Sequence, residues 1–276
     1  MSEKSILITG CSSGIGYDAA HGLRARGWRV FASCRKAEDC ARLSAEGFES
    51  PLIDYQDETT ITSGLAEVLD ATGGQLDALF NNGAFACPGL LEDLPSDGLR
   101  DIFQANFFGW HELTRQVIPT MRAQGHGRIV QCSSVLGIVT LPFRGAYVST
   151  KFALEGLSDT LRIEMKDTGI HVILIEPGPV TSHIRKNAIP HFEHWIDWEA
   201  SPRAEAYRVG LKKRLYESSG PDRFELPASA VTKKLIHAIE SPRPRPRYYV
   251  TTPTYLMGTM RRLLPTRLLD WILAKA

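Results

Sequence analysis

Three side chains near the middle of the chain have the types and spacing needed for proton transfer. Tyr147 and Lys151 are four residues apart, so on a helix they share one face, and Ser134 lies thirteen residues before the tyrosine. A free phenol has a pKa of about 10 and is a slow acid at neutral pH. A nearby ammonium group lowers that pKa, and a hydroxyl can hold a substrate oxygen. The three residues therefore predict acid–base chemistry at a substrate oxygen atom.

A glycine-rich turn near the N-terminus has the composition of a phosphate-binding site. Residues 9–16 read T-G-C-S-S-G-I-G and follow the first predicted strand. Glycine permits a sharp turn and close approach of phosphate to backbone amides, and the N-terminus of a helix favours negative charge. The turn alone is compatible with a βα turn that binds nothing. Together with the proton-transfer group it predicts a nicotinamide dinucleotide and hydride transfer, with these contact residues: Gly10, Ser12, Ser13, Gly14, Ile15 and Gly16.

The end of the second predicted strand favours NADP(H) over NAD(H). A carboxylate about 20 residues beyond the glycines would bind the ribose 2′-hydroxyl and repel a 2′-phosphate. Here Cys34 and Arg35 occupy this region, and Glu38 is the first carboxylate after them. Arg35 can pair with a phosphate in bidentate geometry. The alternatives are that Arg35 is an ordinary solvated charge and that the protein prefers NAD(H).

The elements that must position these residues alternate between strands and helices. Strands are predicted at 5–9, 29–34, 50–53, 78–81, 127–132, 171–176 and 248–250, and helices at 16–26, 37–46, 59–72, 96–124 and 146–167. This alternation predicts an α/β fold, a single-domain doubly wound parallel sheet of about seven strands with helices on both faces. The domain would span residues 1–276, with a substrate lid at 189–227 and an amphipathic tail at 253–276.

Composition narrows the possible partners and the compartment. Lys and Arg total 32 against 31 Asp and Glu, so charge gives no reason to expect nucleic acid as a partner. The five cysteines are odd in number and lack CxxC spacing, which predicts reduced thiols in a cytoplasmic protein. The sequence has no apolar run of the roughly 18 residues needed to span a membrane.

On these motifs the chain resembles the short-chain dehydrogenase/reductase family, which has a Rossmann-like fold, from about residue 4 to about residue 250. It is most similar to the branch of 17β-hydroxysteroid dehydrogenases, retinol dehydrogenases and bacterial aldehyde reductases. The resemblance implies that Tyr147 is the general acid and base, that Lys151 binds the nicotinamide ribose and tunes it, and that Ser134 holds the substrate. Asn106, the fourth catalytic residue by this likeness, would hold a water that links Lys151 to a proton relay.

The resemblance also implies further cofactor contacts. Asp54 would contact the adenine, and Asn82 the adenosine side of the cofactor. The remaining contacts implied are Tyr147, Lys151, Pro177, Gly178, Val180 and Ser182. One motif departs from the family pattern, because N-N-A-G reads N-N-G-A at residues 81–84, which exchanges Gly83 and Ala84. Since glycine accepts positive φ cheaply, we expect a small local change in geometry without loss of activity.

The loop at 189–227 is rich in aromatic residues and is long for a connection, which predicts a lid over an apolar aldehyde, ketone or alcohol substrate. The alternative is that these side chains only pack the lid. His183, His191 and His194 raise the possibility of a metal, but hydride transfer to nicotinamide needs none, and we predict no metal site.

The tail mixes apolar residues with Arg and Lys and can contact a membrane peripherally. Cover for the substrate cleft and a subunit contact are the alternatives. Family likeness predicts a homodimer or homotetramer through the helices at 96–124 and 146–167. The predicted function is an NADP(H)-dependent oxidoreductase, and the competing hypotheses are a cofactor-sensing protein with little catalysis and an NAD(H)-preferring hydroxysteroid or retinol dehydrogenase.

Overall fold

A computed structural model describes residues 4–217 and 220–275. Within these ranges six strands form one parallel sheet in the order β2-β1-β3-β4-β5-β6. Their bounds are β1 (Ser5–Ile8), β2 (Arg29–Ala32), β3 (Ala78–Asn81), β4 (Gly127–Cys132), β5 (Ile170–Glu176) and β6 (Arg247–Tyr249). The central strands are buried on both faces, which explains why their sequences are nearly continuous apolar runs.

The strand order reverses at β1. The chain passes from β1 to β2 on one side and then returns to place β3 on the other side of β1, where Leu7 is in register with both Phe31 and Leu79. In open parallel sheets, ligands bind outside the carboxyl ends of the strands at such a switch point. The glycine-rich turn after β1 and the asparagines after β3 lie at this point.

Helices cover both faces of the sheet and confirm the predicted α/β fold. Helix α1 packs with α9, α3 packs with α5, and α6 packs on β5. The helices are α1 (Gly14–Arg24), α2 (Ala37–Ala45), α3 (Glu58–Thr72), α4 (Ser96–Phe103), α5 (Gly109–Gln124), α6 (Gly145–Glu164), α7 (Ile184–Trp195), α8 (Ala204–Ala206), α9 (Ser229–Glu240), α10 (Thr252–Leu263) and α11 (Thr266–Leu273).

The seventh strand, predicted at 50–53, does not form among the described residues. The segment makes only two isolated parallel bridges beside β2, between Phe31 and Glu49 and between Cys34 and Leu52. Pro51 lies between the two bridges and has no backbone N–H to donate, so the hydrogen-bond ladder cannot continue through it. The sheet therefore has six strands, with an interrupted edge beyond β2.

The helix predicted at 96–124 is divided. A π-helical turn (Gln104–Phe108) separates α4 from α5, so the two helices meet at a shifted hydrogen-bonding register. The predicted lid begins earlier than expected, at α7, and continues through α8 and a second π-helical segment (Tyr207–Glu217). In the described part of the chain no helix is long and apolar enough to cross a membrane.

Candidate functional site

The glycine-rich turn between β1 and α1 packs against the loop after β3. Gly10 has a φ of +68°, and a Cβ atom there would lie 2.5 Å from the Cα of Gly83. A Cβ at Gly16 would overlap the Gly10 carbonyl oxygen. Backbone therefore approaches backbone at a distance that only glycine allows.

The first turn of α1 leaves its amides available to an anion. Ser13 lies at the N-cap, and its side chain makes no capping hydrogen bond within the described residues. The first turn contains no acidic residue, and Ser12 before it is exposed. Ile15 is partly buried against the main core, which fixes the start of the helix. These are the conditions under which a helix N-terminus favours a phosphate group.

The segment after β5 crosses towards the same turn. A Cβ at Gly14, where φ is +60°, would lie 3.3 Å from the Cβ of Ser182, so the two residues are neighbours. The Pro177 carbonyl accepts a hydrogen bond from the Val135 amide at 2.7 Å. Gly178 lies directly against the Thr251 hydroxyl with no room for a side chain, and Val180 forms a parallel bridge with Leu226. The structure thus brings residues 177–182 to the glycine-rich turn.

The asparagines after β3 hold this edge together. The Asn82 side-chain amide donates to the Thr9 carbonyl at 3.1 Å, and its backbone N–H donates to Thr9 Oγ1 at 2.9 Å. The Tyr55 hydroxyl lies 2.7 Å from Thr9 Oγ1 and 2.6 Å from Asn81 Oδ1. Sequence reasoning missed Tyr55, which is 26 residues away from Asn81 and belongs to no motif.

The exchange of Gly83 and Ala84 has a local explanation. Neither residue has positive φ, so the alanine is not strained. Gly83 instead lies against Gly10, and a Cβ on it would lie 3.3 Å from the Gly10 amide nitrogen. The small change in local geometry expected from the sequence therefore stays a prediction.

The segment after β2 carries an exposed arginine that pairs with no carboxylate among the described residues. Arg35 is exposed, and its side chain makes no hydrogen bond or ion pair with another described residue. Cys34 is buried, and that burial raises its pKa to about 12, so the thiol is neutral. Asp54 is half-buried and accepts a hydrogen bond from the Gln56 backbone N–H at 3.0 Å, which fixes the turn after the interrupted edge.

Tyr147, Lys151 and Ser134 lie together at the carboxyl end of β4. Lys151 is 1% exposed, and its Nζ donates to the Cys132 carbonyl at 2.8 Å, two residues before Ser134. The same ammonium lies 5.4 Å from the centre of the Tyr147 ring. Ser134 caps a short 3₁₀ turn by accepting from the Leu136 N–H at 3.1 Å. The three predicted residues therefore converge from one strand end and one helix face.

Burial dominates the titration of this group. It lowers the pKa of Lys151 to about 8, although Cys132 and Glu155 oppose the change. Burial also raises the pKa of Tyr147 above its ordinary value, whereas the Ser134 hydroxyl lowers it by hydrogen bonding. The pKa of the phenol therefore lies above its ordinary value, against the lowering by Lys151 that the sequence predicted. Additional positive charge beside Tyr147 would favour its phenolate form.

Asn106 lies inside the π-helical turn between α4 and α5 and is fully buried. Its side-chain amide donates to the Phe85 carbonyl at 2.8 Å, and its Oδ1 accepts from the Phe85 N–H at 3.1 Å. Trp110 follows one turn later, and the centre of its ring lies 4.1 Å from Lys151 Nζ. Its indole N–H donates to the Gly83 carbonyl. Sequence reasoning missed Trp110, which connects Lys151 to the loop after β3.

A buried charge cluster lies behind Lys151. Arg247 pairs with Glu155, with Glu176 at 2.6 Å and with Asp159 at 2.6 Å. One oxygen of Glu155 and one of Glu176 are buried without a hydrogen-bond partner among the described residues. Burial raises the pKa of both carboxyl groups, that of Glu176 to about 8, and repulsion by Glu155 adds to it at Glu176 and repulsion by Asp159 at Glu155. No sequence motif marks this cluster, because its carboxylates lie 71 to 92 residues before Arg247.

The lid packs against Tyr147 through Trp195. His191 of α7 stacks on Phe85 with ring centres 3.7 Å apart, and Trp195 donates to Asp101 at 3.3 Å. Tyr207 is fully buried, donates to Asp93 at 2.6 Å and accepts from the Leu90 N–H at 2.8 Å. A cavity of about 680 Å³ opens within the lid and is lined by residues 192–199 and by Lys212, Tyr216 and Glu217.

The three histidines singled out in the sequence do not share a site. His191 stacks on Phe85, His194 packs on Trp195, and His183 lies at the N-terminus of α7. Within residues 4–217 and 220–275 no group of three or more His, Cys, Asp or Glu residues could hold a metal ion. All five cysteines are buried and free.

Known proteins resemble the chain over nearly its whole length. Residues 4–192 match the family model described as short chain dehydrogenase. The chain is 39% identical to the uncharacterized oxidoreductase YbbO of Escherichia coli, covering 98% of this chain and 94% of that protein. It is 30% identical to an NADPH-dependent 3-dehydrocapnine reductase of Ornithobacterium rhinotracheale (98% and 95% covered) and 32% identical to the rat 17-beta-hydroxysteroid dehydrogenase type 6 (99% and 88%).

Solved structures have the same fold. A short chain dehydrogenase/reductase of Burkholderia phymatum in complex with NAD superimposes with a TM-score of 0.77 at 25% sequence identity, covering 99% of this chain and 95% of that one.

Proposed function

The chain belongs to the short-chain dehydrogenase family, and from this premise we propose that it is an NADP(H)-dependent oxidoreductase that interconverts an apolar aldehyde or ketone and its alcohol. Its membership makes it an oxidoreductase of the kind that acts on CH–OH groups with NAD(P). The observation that carries the finer proposal is the convergence of Tyr147, Lys151 and Ser134 beside the glycine-rich turn.

The residues around the turn fit a dinucleotide. A phosphate group can approach the amides of Gly14, Ile15 and Gly16 because the glycines present no side chain and the helix start is uncapped. Opposite them, the cofactor would lie against the segment after β5. The residues proposed to hold it are Gly10, Ser12, Ser13, Gly14, Ile15, Gly16, Arg35, Asp54, Asn82, Tyr147, Lys151, Pro177, Gly178, Val180 and Ser182.

Arg35 supports a preference for NADP(H). Its guanidinium lies at the end of β2 with no carboxylate partner in the described chain, and the neighbouring Cys34 is a neutral thiol. A 2′-phosphate would therefore meet a free cation, and the first carboxylates after it, Glu38 and Asp39, are paired with Lys36 and Arg42. The NADPH dependence of the 3-dehydrocapnine reductase agrees with this choice, whereas the Burkholderia structure holds NAD.

The proposed reaction combines a hydride and a proton. When bound, a nicotinamide would supply the hydride to the carbonyl carbon in reduction and accept it in oxidation. Tyr147 gives its hydroxyl proton to the carbonyl oxygen in reduction and removes the alcohol proton in oxidation. Ser134 holds that oxygen by a hydrogen bond, and Lys151 binds the ribose and favours the tyrosinate.

Asn106 is proposed to complete the group. It fixes Phe85 through both ends of its amide. Its side-chain oxygen has a second lone pair, which can accept from the relay water that the family resemblance implies.

An apolar substrate is supported by the side chains around the cleft. Phe85, Phe103 of α4 and Trp195 of the lid pack in one apolar cluster with Tyr147. Apolar walls with a few polar groups are typical of sites for small apolar molecules. The named substrate class of the rat hydroxysteroid dehydrogenase agrees with this proposal.

Assembly and location complete the proposal. Phe108, Phe152 and Ile163 are large apolar residues exposed on the segment from α4 to α5 and on α6, which supports a homodimer or homotetramer through these helices. The five free, buried cysteines agree with a reducing, cytoplasmic compartment.

The decisive experiment follows the oxidation of NADPH, and separately of NADH, against a panel of aldehydes, steroid ketones and retinal. We expect turnover with NADPH and a loss of about 100- to 10,000-fold in kcat for Tyr147→Phe, because the proton donor is removed. Tyr17→Phe on α1, which removes a hydroxyl bonded to Glu46 at the end of α2, is the matched control and should retain activity. NADPH binding without turnover across the panel would instead support a cofactor-sensing protein.

The cofactor preference has its own test. Arg35→Asp should lower kcat/KM with NADPH by about 10-fold or more, because a charge-assisted pair with phosphate is replaced by repulsion. Efficiency with NADH should fall little or rise. Equal efficiency of the unmodified protein with NADH and NADPH would refute the assignment of NADP(H).

A further inference from the structure

The two C-terminal helices have an apolar outer surface that the described part of the chain leaves uncovered. Five large residues on α10 and α11 are 44% to 75% exposed, and we call them the tail face: Tyr255, Leu256, Leu263, Leu268 and Trp271. Leu256 and Leu263 are seven residues apart on α10, and Leu268 and Trp271 are three apart on α11, so each pair shares one helix side. Contiguous exposed apolar residues of this size mark interaction surfaces.

The inner side of the same helices is already used. Leu269 and Leu273 are buried against Val139, and Met257, Met260 and Leu264 pack around them with the segment that follows Ser134. This packing fixes the orientation of α10 and α11, so the tail face cannot turn inward without breaking the cluster. The sequence analysis treated cover for the substrate cleft and membrane contact as alternatives for the tail. The two are compatible, because each would use a different side of the helices.

The edges of the tail face are cationic. Residues 252–275 contain four basic side chains and one acidic one, Asp270. Within the described residues, no carboxylate pairs with any of the four, which are Arg261, Arg262, Arg267 and Lys275. The Lys275 ammonium lies 3.7 Å from the centre of the Trp271 ring, so charge and apolar surface adjoin directly.

A small basic pocket continues the charge beside Tyr255. It has a volume of about 210 Å³ and is lined by three tyrosines and four basic residues. Arg247 is neutralised by the buried carboxyl groups, but Lys234, Arg245 and Arg262 make no ion pair with described residues. Free cations and phenol hydroxyls in one pocket suit the phosphate of a lipid headgroup.

We propose that the tail face docks this protein onto the surface of an anionic phospholipid bilayer, with α10 and α11 lying in the interface plane. Leu and Trp side chains facing out between Arg and Lys form the pattern of interfacial helices, and aromatic residues favour the headgroup level. The basic side chains favour anionic lipid, because each one is attracted to the negatively charged headgroups. Salt screens this attraction. Docking would bring the residues after Ser134 close to the membrane. Apolar molecules dissolved in the membrane would then be close to these residues.

The experiment is flotation of the full-length protein with vesicles. Vesicles of phosphatidylcholine and phosphatidylserine should carry the protein upward at low salt, and high salt or phosphatidylcholine alone should reduce the bound fraction by about tenfold. The double variant Leu263→Ser/Trp271→Ser should lose binding at any salt concentration. Arg261→Gln/Arg267→Gln should lose only the part that depends on phosphatidylserine.

Matched controls separate the tail face from general surface properties. Val209→Ser removes an apolar side chain that is 64% exposed in the lid, and Lys166→Gln/Lys213→Gln removes two exposed charges elsewhere. Both should bind vesicles like the unmodified protein. Absence of flotation in the unmodified protein overturns the proposal. A change of oligomeric state in Leu263→Ser/Trp271→Ser, without a change in vesicle binding, would assign the face to a second copy of the chain instead.

Discussion

Two halves of the candidate site obtain similar left-handed backbone turns from different residues. In the cofactor half, formed by the loops after β1, β2 and β3, positive φ falls on Gly10 and Gly14. In the substrate half, formed by residues 134–144 and 184–226, it falls on two non-glycine residues, Phe143 and Phe224, besides Gly220. Glycine adopts this conformation at no steric cost, whereas a bulky residue is held there by its surroundings at about 1–3 kcal/mol. The cofactor half is therefore specified locally and the substrate half by tertiary packing.

The buried polar groups differ in the same way. Behind the cofactor half, Tyr55, Thr9 and Asn81 form a neutral, fully paired network. Behind Lys151, Glu155 and Glu176 each keep one buried oxygen that has no hydrogen-bond partner in the described part of the chain, although Arg247 contacts both residues. Neutral networks cost little once satisfied, whereas buried charges cost several kcal/mol each and respond to pH. We therefore expect the cofactor half to be insensitive to pH and the region behind Lys151 to titrate.

The largest effect should come from Gly10→Ala in the cofactor half. The new Cβ would lie 2.5 Å from the Gly83 Cα, at a φ of +68°. Because backbone meets backbone, one of the two loops must move, and we expect NADPH affinity to fall by about 100-fold. Fluorescence titration of NADPH measures this. Gly83→Ala, on the other side of the same contact, meets its neighbours at 3.3 Å or more and should change affinity by less than about threefold. Similar losses in the two variants would contradict the asymmetry.

Tyr207→Phe should perturb the substrate half alone. The change removes the acceptor for the Leu90 N–H and the donor to Asp93 in a fully buried position, at a cost of about 1–3 kcal/mol to the lid. We expect KM for the carbonyl substrate to rise several-fold with an unchanged dissociation constant for NADPH. In the control Tyr216→Phe, water can replace the exposed hydroxyl that binds Glu193, and KM should barely change. An equal loss of NADPH affinity in Tyr207→Phe would show that the halves are coupled.

Glu176→Gln tests the pH response behind Lys151. Burial raises the folded pKa of Glu176 to about 8, above the 4.5 of an unperturbed glutamate, so the folded chain keeps a proton that the unfolded chain releases. The contribution of this proton to the free energy of unfolding is complete below about pH 4.5 and is lost as the pH rises towards 8. The free energy of unfolding in urea should therefore decline between pH 5 and 8, and the decline should be about 1–2 kcal/mol smaller in the variant. Glu164→Gln, an exposed residue of α6, should follow the unmodified curve, and parallel curves for Glu176→Gln would exclude the retained proton.

The same contrast explains how far the sequence predicted the molecule. Glycine positions, the i and i+4 pair and the apolar runs depend on residue type and short spacing, so the strand–helix alternation and the placement of Gly10, Tyr147 and Lys151 were predictable. The strand at 50–53 was predicted wrongly, because the apolar pattern outweighed the missing N–H of Pro51.

Other features depend on contacts between distant segments. Tyr55, Trp110 and the carboxyl groups around Arg247 reach their positions only through the sheet order, and no local motif marks them. The π-helical turn at Asn106 was likewise invisible, because its sequence continues a helical pattern on both sides. The substrate half depends on such contacts too, because Tyr207 of the lid binds Leu90 and Asp93, which are 117 and 114 residues away. This is why the substrate could be predicted only as apolar.

Phe224→Asn should have the smallest effect and the opposite sign. Phe224 has a φ of +63° and is 51% exposed, so its ring contributes little packing to offset the strained backbone. Asparagine tolerates the left-handed region, and we expect the free energy of unfolding to rise by about 0.5–1 kcal/mol in urea titrations. Phe143→Asn is the matched change at a φ of 61°, but its ring packs on Tyr207 with centres 5.3 Å apart. There the loss of packing should exceed the relief of strain by about 2 kcal/mol or more. If Phe224→Asn destabilised the protein as much as Phe143→Asn, the exposed ring would be part of the packed lid, and the substrate half would be more rigid than its surface suggests.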